Sequence, residues 1–183
     1  ERMVCPFCRA KGHEGDDKEL LKRLFKQIDQ YKDPRAMIMA GAYYVEGLHG
    51  VSKDLTKAEE LYKRSYDLGY PMAAHRLYEL FHNHIPNGDK VVAMKYLEEG
   101  ARRGLAHSIF QLAHHVYRDG NRGDGTRRFM MAARCGHENA MDTLMKCYRQ
   151  GLLSDEDLAT TVRDYTAAME TVTSEPREYA KRY

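Results

Sequence analysis

Three glycines, Gly69, Gly104 and Gly136, stand 35 and 32 residues apart, and one side-chain pattern follows each of them. Four positions on comes a small residue: Ala73, Ser108 or Ala140. Eight on comes a leucine: Leu77, Leu112 or Leu144. Twelve on comes a large residue: Phe81, Val116 or Tyr148. Ala36, Ala40 and Tyr44 repeat the pattern once more upstream, with Lys32 in the place of the glycine. Residues spaced by four share one helix face, so each set marks an amphipathic helix, here called A. Before the glycines lie paired positions on a second helix, B: Leu61, Tyr62, Ser65 and Tyr66; Tyr96, Leu97, Gly100 and Ala101; Arg128, Phe129, Ala132 and Ala133. A two-helix unit of this size cannot bury its apolar face alone, and stacked neighbours bury it jointly.

The predicted fold is therefore all-α, an α/α superhelical solenoid of antiparallel helix pairs. No alternating Val/Ile/Thr run supports a strand. Asp54, Asp89 and Ser154 stand where B helices should begin and can accept hydrogen bonds from their free N–H groups. Pro34 and Pro71 open A helices, where a missing N–H costs nothing. The connection Asp119–Gly125 reads as a short glycine-rich link. The boundaries are a finger remnant or linker over 1–15, then a repeat domain over 16–183. That domain divides into a half repeat at 17–31 and repeats at about 33–70, 71–105, 106–137 and 138–172. A capping tail over 173–183 follows, with a short helix after Ser174 on which Tyr179 and Tyr183 pack.

Composition narrows the function classes. A net charge of +2 over 183 residues is no nucleic-acid footprint. No stretch approaches the apolar length of a membrane span, and no signal-peptide pattern is visible. No phosphate loop, nucleophile elbow or His-Glu-x-x-His occurs. Asp119-x-Asn121-x-Gly123 fails as a calcium loop, because Asp124 and Met130 occupy its glycine and glutamate positions. Cys135 and Cys147 fit no common metal spacing and read as buried or half-buried thiols, which suggests a reducing compartment, cytoplasmic or nuclear.

Residues 36–70 resemble a Sel1-like repeat, a relative of the tetratricopeptide repeat. That pattern runs A-x-x-x-L-G-x-x-Y, a glycine loop, then V-x-x-D-x-x-K-A. Here it is carried by Ala36, Ala40, Gly41, Tyr44, Gly47, Gly50, Val51, Asp54, Lys57 and Ala58. Ala40 replaces the leucine and the loop has one extra residue; the later units are more degenerate. The resemblance extends over about residues 17–172. It implies a non-catalytic scaffold that binds a protein or peptide in a concave groove lined by A helices. The oligomeric state is not implied.

By that analogy, the exposed A-helix positions are three, six, ten, thirteen and fourteen after the reference glycine. They include Ile38, Ala42, Val45 and Glu46, then His75, Glu79 and His82, then His107, Phe110, His114, Tyr117 and Arg118, and last Lys146 and Arg149. His75 and His82 are seven apart, as are His107 and His114. One reading is a pH-sensitive or metal-binding groove. The preferred one is a solvated polar face, since seven residues span about 10 Å of helix, too far for one shared ion. Arg118, Lys146 and Arg149 can form a positive end for an acidic peptide or C-terminal carboxylate.

Cys5-Pro6-Phe7-Cys8-Arg9 supplies half of a zinc site. No strand precedes it, which speaks against a thioredoxin-like redox pair. A zinc knuckle matches at Cys5, Cys8 and His13 but has Lys18 at the fourth ligand. The pentapeptide resembles the end of a RING-type finger, whose other ligands would lie before Glu1. Zinc is then expected only in a longer protein. The resemblance implies that the longer protein is a ubiquitin ligase-like enzyme with repeats that recruit its substrate. The alternative is a stand-alone adaptor for complex assembly or chaperone-tail binding, with no ubiquitin link.

Overall fold

A computed structural model describes residues 14–85 and 89–182. Among the described residues there are nine α-helices, one π-helical turn and no strand. They run α1 (Glu14–Tyr31), α2 (Pro34–Glu46), α3 (Leu55–Asp67), α4 (Pro71–Glu79), the π turn (Leu80–His84), α5 (Lys90–Arg102), α6 (Ala106–Arg118), α7 (Arg122–Arg134), α8 (Ala140–Arg149) and α9 (Asp155–Arg182). The A helices are α2, α4, α6 and α8. The half repeat is α1. Cys5, Cys8 and His13 lie outside the described residues, and so do the side chains of Tyr179 and Tyr183.

Helix boundaries follow the local chemistry. Asp54 accepts from the Lys57 N–H at 3.0 Å, Asp89 from Val91 N–H at 2.8 Å, and Ser154 Oγ from Asp157 N–H at 3.1 Å. The three expected caps are thus in place. Helices end on left-handed glycines at Gly69, Gly104 and Gly136, with φ near +80°. After each, the next N–H reaches back into the helix: Tyr70 to the Ser65 carbonyl, Leu105 to Gly100, His137 to Ala132. This satisfies carbonyls that a helix end leaves without partners.

Two features differ from expectation. The link after α6 is shorter than Asp119–Gly125. Asn121 caps α7 through the Asp124 N–H, and Gly123 and Gly125 lie inside that helix. Further on, α9 continues to Arg182, so the region after Ser174 is not a separate helix. No glycine stands between Asp155 and Arg182 to stop it.

The helices form two compact units, Glu1–Tyr96 and Leu97–Tyr183. In the first, α2 packs on α1 and α3, α3 packs on α4, and α2 touches α4. Its core has two adjoining clusters. One is built on Leu24, Ile28, Ala36, Met37, Ala40 and Leu61; the other includes Ile38, Val45, Ala58, Tyr62, Ala73 and Leu77. In the second unit, α7 packs on α6, α8 and α9 around Ile109, Ala113, Phe129, Ala133, Ala140 and Leu144. The small and leucine positions of the repeat are buried in all four A helices. The twelfth positions, Tyr44, Phe81, Val116 and Tyr148, are half-buried.

Candidate partner-binding site

In the first unit, the last turns of α2 and α4 and the π turn enclose a cleft of about 160 Å³. Ala42, Val45, Leu80 and the Tyr62 ring form its apolar lining; Glu46, Arg76, Glu79 and His84 form the polar part. Gly41 permits this arrangement. A Cβ there would lie 2.3 Å from a Tyr62 ring carbon, so only glycine lets the Tyr62 ring lie against α2. The π turn contributes Leu80 and His84. Such turns carry one residue more than an α turn and re-aim the side chains after them.

The polar groups are strongly coupled. Arg76 Nη1 donates to Glu79 Oε2 at 2.6 Å, and His75 Nε2 stands 3.5 Å from Glu79 Oε1. Burial alone would push the Glu79 carboxyl up. The hydrogen bond from His75 and the charge of Arg76 outweigh it and hold the group at about 2. Burial pushes the Tyr62 phenol up to about 12; the Arg76 charge opposes this, and the Glu79 and Glu46 carboxylates add to it. Glu46 forms no ion pair among the described residues.

The second unit brings together other predicted positions. Phe110 stacks on His137 at 4.1 Å and meets His114 edge-on at 4.7 Å. The buried Phe129 ring lies 5.4 Å from Phe110, 4.8 Å from His114 and 6.0 Å from Tyr117. Tyr117 Oη donates to Gln150 Oε1 at 2.9 Å. His107 is exposed, edge-on to His137 at 4.8 Å. Burial depresses the His114 imidazole, and the charges of Arg118, His115 and Lys146 depress it further. Arg118, Lys146 and Arg149 are exposed.

Several expectations need correction. His75, predicted exposed, is only 4% exposed; Ile38 and Val45 are buried as well. These A helices pack on both flanks, which leaves a narrower open strip than the analogy implies. His82 is exposed and bonds Asn83, whereas His75 is buried; the two rings flank Tyr78, at 5.2 and 6.1 Å. Among the described residues no group of three His, Cys, Asp or Glu gathers as a metal site. Cys147 is buried as expected, but Cys135 is exposed because it ends α7 at the surface.

Arg76, His84 and His137 were not singled out in the sequence, and Tyr62 stood there only as a B-helix packing position. One signal was present for His137. It directly follows a left-handed glycine, where Tyr70 and Leu105 stand in the other repeats, and this position turns inward. His84 gave no signal, because the π turn that aims it is invisible to a 3.6-residue period.

Residues 34–70 and 82–105 match the sequence profile of the Sel1 repeat. A search of curated proteins finds no match to this chain. Among solved structures, the chain is similar to a Sel1 repeat protein from Oxalobacter formigenes. That match has a TM-score of 0.61 at 20% identity and covers 86% of this chain and 69% of the other. It is also similar to c5321, a protective antigen of uropathogenic Escherichia coli strains displaying an SLR fold. There the TM-score is 0.58 at 21% identity, covering 87% of this chain but only 33% of c5321. These likenesses show the fold: helix pairs of the Sel1-repeat solenoid class.

Proposed function

We propose that this chain is a non-catalytic interaction scaffold that binds a protein or peptide partner on its A-helix faces. Sel1 repeats generally mediate protein–protein interaction, and the first-unit cleft supports that use here. It combines an apolar lining with charged groups at the ends of two A helices, the mixture that fixes a ligand's orientation in a binding site. Comparing the proteins retained by the wild-type chain and by Ala42→Trp tests this. Ala42 is half-buried at the cleft and lies outside the core clusters, so tryptophan there fills the cleft. The expected result is loss of the specific partners with an unchanged melting temperature. Identical capture by both proteins would sink the A-helix-face reading.

The second unit offers a distinct surface in the same reading. Arg118 and Lys146 lie close enough to depress His114, and both are exposed. With Arg149 they form a positive end suited to an acidic or carboxylate-ended tail, the kind an assembly adaptor would hold. Reversal of Lys146 and Arg149 to Glu should weaken capture of acidic-tailed peptides; unchanged capture would remove this surface from the proposal.

The finer reading is that the repeats select the substrate of a RING-type ubiquitin ligase-like protein in the cytoplasm or nucleus. Cys5-Pro6-Phe7-Cys8-Arg9 supports it. Zinc would be held there by Cys5 and Cys8 with ligands from outside residues 1–183. A longer protein that binds no zinc and shows no self-ubiquitination with a panel of conjugating enzymes would end this reading, leaving the adaptor.

A further inference from the structure

The first-unit cleft lies at the C-terminal ends of two A-type segments. Glu46 is the last residue of α2 before the left-handed Gly47, and His84 is the last residue of the π turn that continues α4. Helix C-termini carry partial negative charge and favour cations, so a carboxylate at such an end is unfavourable without a counter-charge. Glu46 has that position, is exposed, and forms no ion pair among the described residues. The cleft's own cation, Arg76, is engaged at 2.6 Å by Glu79 and offsets that carboxylate rather than Glu46. One negative charge and two helix ends are therefore left facing an apolar lining of Ala42, Val45 and Leu80. Tyr62 and His84 are the further titratable groups on the lining, and an imidazole nitrogen can accept a hydrogen bond from a ligand. A volume of about 160 Å³ is close to that of an apolar cavity that holds one benzene, about 150 Å³. It therefore suits a single side chain rather than a folded segment.

We propose that this cleft is a socket for one basic side chain, arginine or lysine, of the bound partner. The aliphatic stem packs on Ala42, Val45 and Leu80, and the cationic head meets Glu46 at the end of α2. Long basic side chains divide in this way, burying the stem and keeping the charge at a polar edge. The assignment rests on the partner-binding reading above and names the chemistry that the first unit selects.

The test uses small probes on the full chain. N-acetyl-arginine amide is titrated against ¹⁵N-labelled protein, with N-acetyl-citrulline amide as its uncharged isostere and N-acetyl-glutamate amide as the opposite charge. The arginine probe should shift the amide signals of Glu46, Leu80 and His84 saturably, and the citrulline probe should bind several-fold more weakly. Glu46→Gln, an exposed change, should weaken the arginine probe about two- to fivefold, the range of a solvent-exposed ion pair. Ala42→Leu, which fills the cleft without altering charge, should abolish the shifts. Equal binding of arginine and citrulline, preference for the glutamate probe, an unaffected Glu46→Gln, or no saturable shift with arginine would each overturn the socket. Partner capture separates the two levels. If Ala42→Trp loses the partner and Glu46→Gln keeps it at full strength, the socket fails while the scaffold stands. If Ala42→Trp keeps the partner, the scaffold reading fails on this face, and the probe titration still decides the socket.

Discussion

Lys32 has φ +48°, in the left-handed region that Gly69, Gly104 and Gly136 occupy at the same repeat position. The fold demands this conformation to leave one helix and enter the next, and lysine meets it at a cost. Left-handed backbone costs an L-residue about 1–2 kcal/mol, part of which glycine would return through its freer unfolded chain. Lys32→Gly is therefore expected to stabilise the first unit by about 0.5–1 kcal/mol in urea unfolding. A destabilised variant would mean that the lysine side chain makes compensating contacts. Gly41 behaves in the opposite sense. Alanine has the better helix propensity, yet its Cβ would lie 2.3 Å from the Tyr62 ring. That ring is 3% exposed and lines the cleft, so it could yield only by moving into that space. Gly41→Ala should cost about 1–3 kcal/mol, the usual range for overpacking, and should perturb the cleft that Tyr62 lines. A neutral or stabilising result would show that α2 and α3 can separate freely.

At the scale of the element, the sequence spoke clearly where period and punctuation coincide. The four-residue spacing of Ala36, Ala40 and Tyr44 and the start at Pro34 gave α2 nearly to the residue. Asp54, Asp89 and Ser154 marked three B-helix starts through a chemistry that few side chains share. Asp54→Ala should lower the melting temperature, and Asp54→Asn should retain most of it. Asparagine keeps the acceptor for the Lys57 N–H and loses only the ion pair with the Lys57 ammonium; equal loss in both variants would assign the effect to charge. The elements that stayed hidden break the helical period or use glycine for packing. Gly125 looks like a link residue, but its hydrogen lies against Tyr117: a Cβ would fall 2.7 Å from Tyr117 Cβ and 2.9 Å from its Cα. Helices α6 and α7 therefore cross with backbone close to backbone. Gly125→Ala should destabilise the second unit, and Tyr117→Ala should not rescue it, since the obstructing atoms remain in alanine. The cleft was half legible for the same reason. Ala42, Val45, Glu46 and Glu79 follow from repeat position; Leu80 and His84 depend on the π turn, and Arg76 and Tyr62 on how neighbouring helices meet.

For the whole molecule, the charged groups predict which side chains set the pH response of each unit. His114 in the second unit has a pKa below its usual 6.5, set first by burial and then by Arg118, His115 and Lys146. The folded unit therefore prefers neutral His114. That contribution is full above pH 6.5 and is lost as pH falls below it, because the unfolded chain then binds the proton more readily. Glu79 in the first unit sits at about 2 against a usual 4.5. Its contribution, on the order of 2–3 kcal/mol, is full above pH 4.5 and disappears as pH falls towards 2. Asp54 in the first unit and Glu99 in the second are also depressed carboxylates, and both act only in that lower range. Isoleucine methyl signals separate the units, since Ile38 is buried in the first and Ile109 in the second. Between pH 7 and 5, the urea midpoint read at Ile109 should fall, and His114→Gln should flatten that response. Between pH 4.5 and 2.5, the Ile38 midpoint should fall, and Glu79→Gln should remove much of that slope. At the alkaline end Tyr62, raised to about 12, gives the reverse sign: its contribution at Ile38 is present below pH 10 and lost between 10 and 12, while in the second unit Tyr148, raised by its hydrogen bond to Asp155, acts in the same direction. An Ile109 response between pH 7 and 5 that survives His114→Gln, or an acid slope at Ile38 that survives Glu79→Gln, would show that these groups do not set the pH dependence of their units.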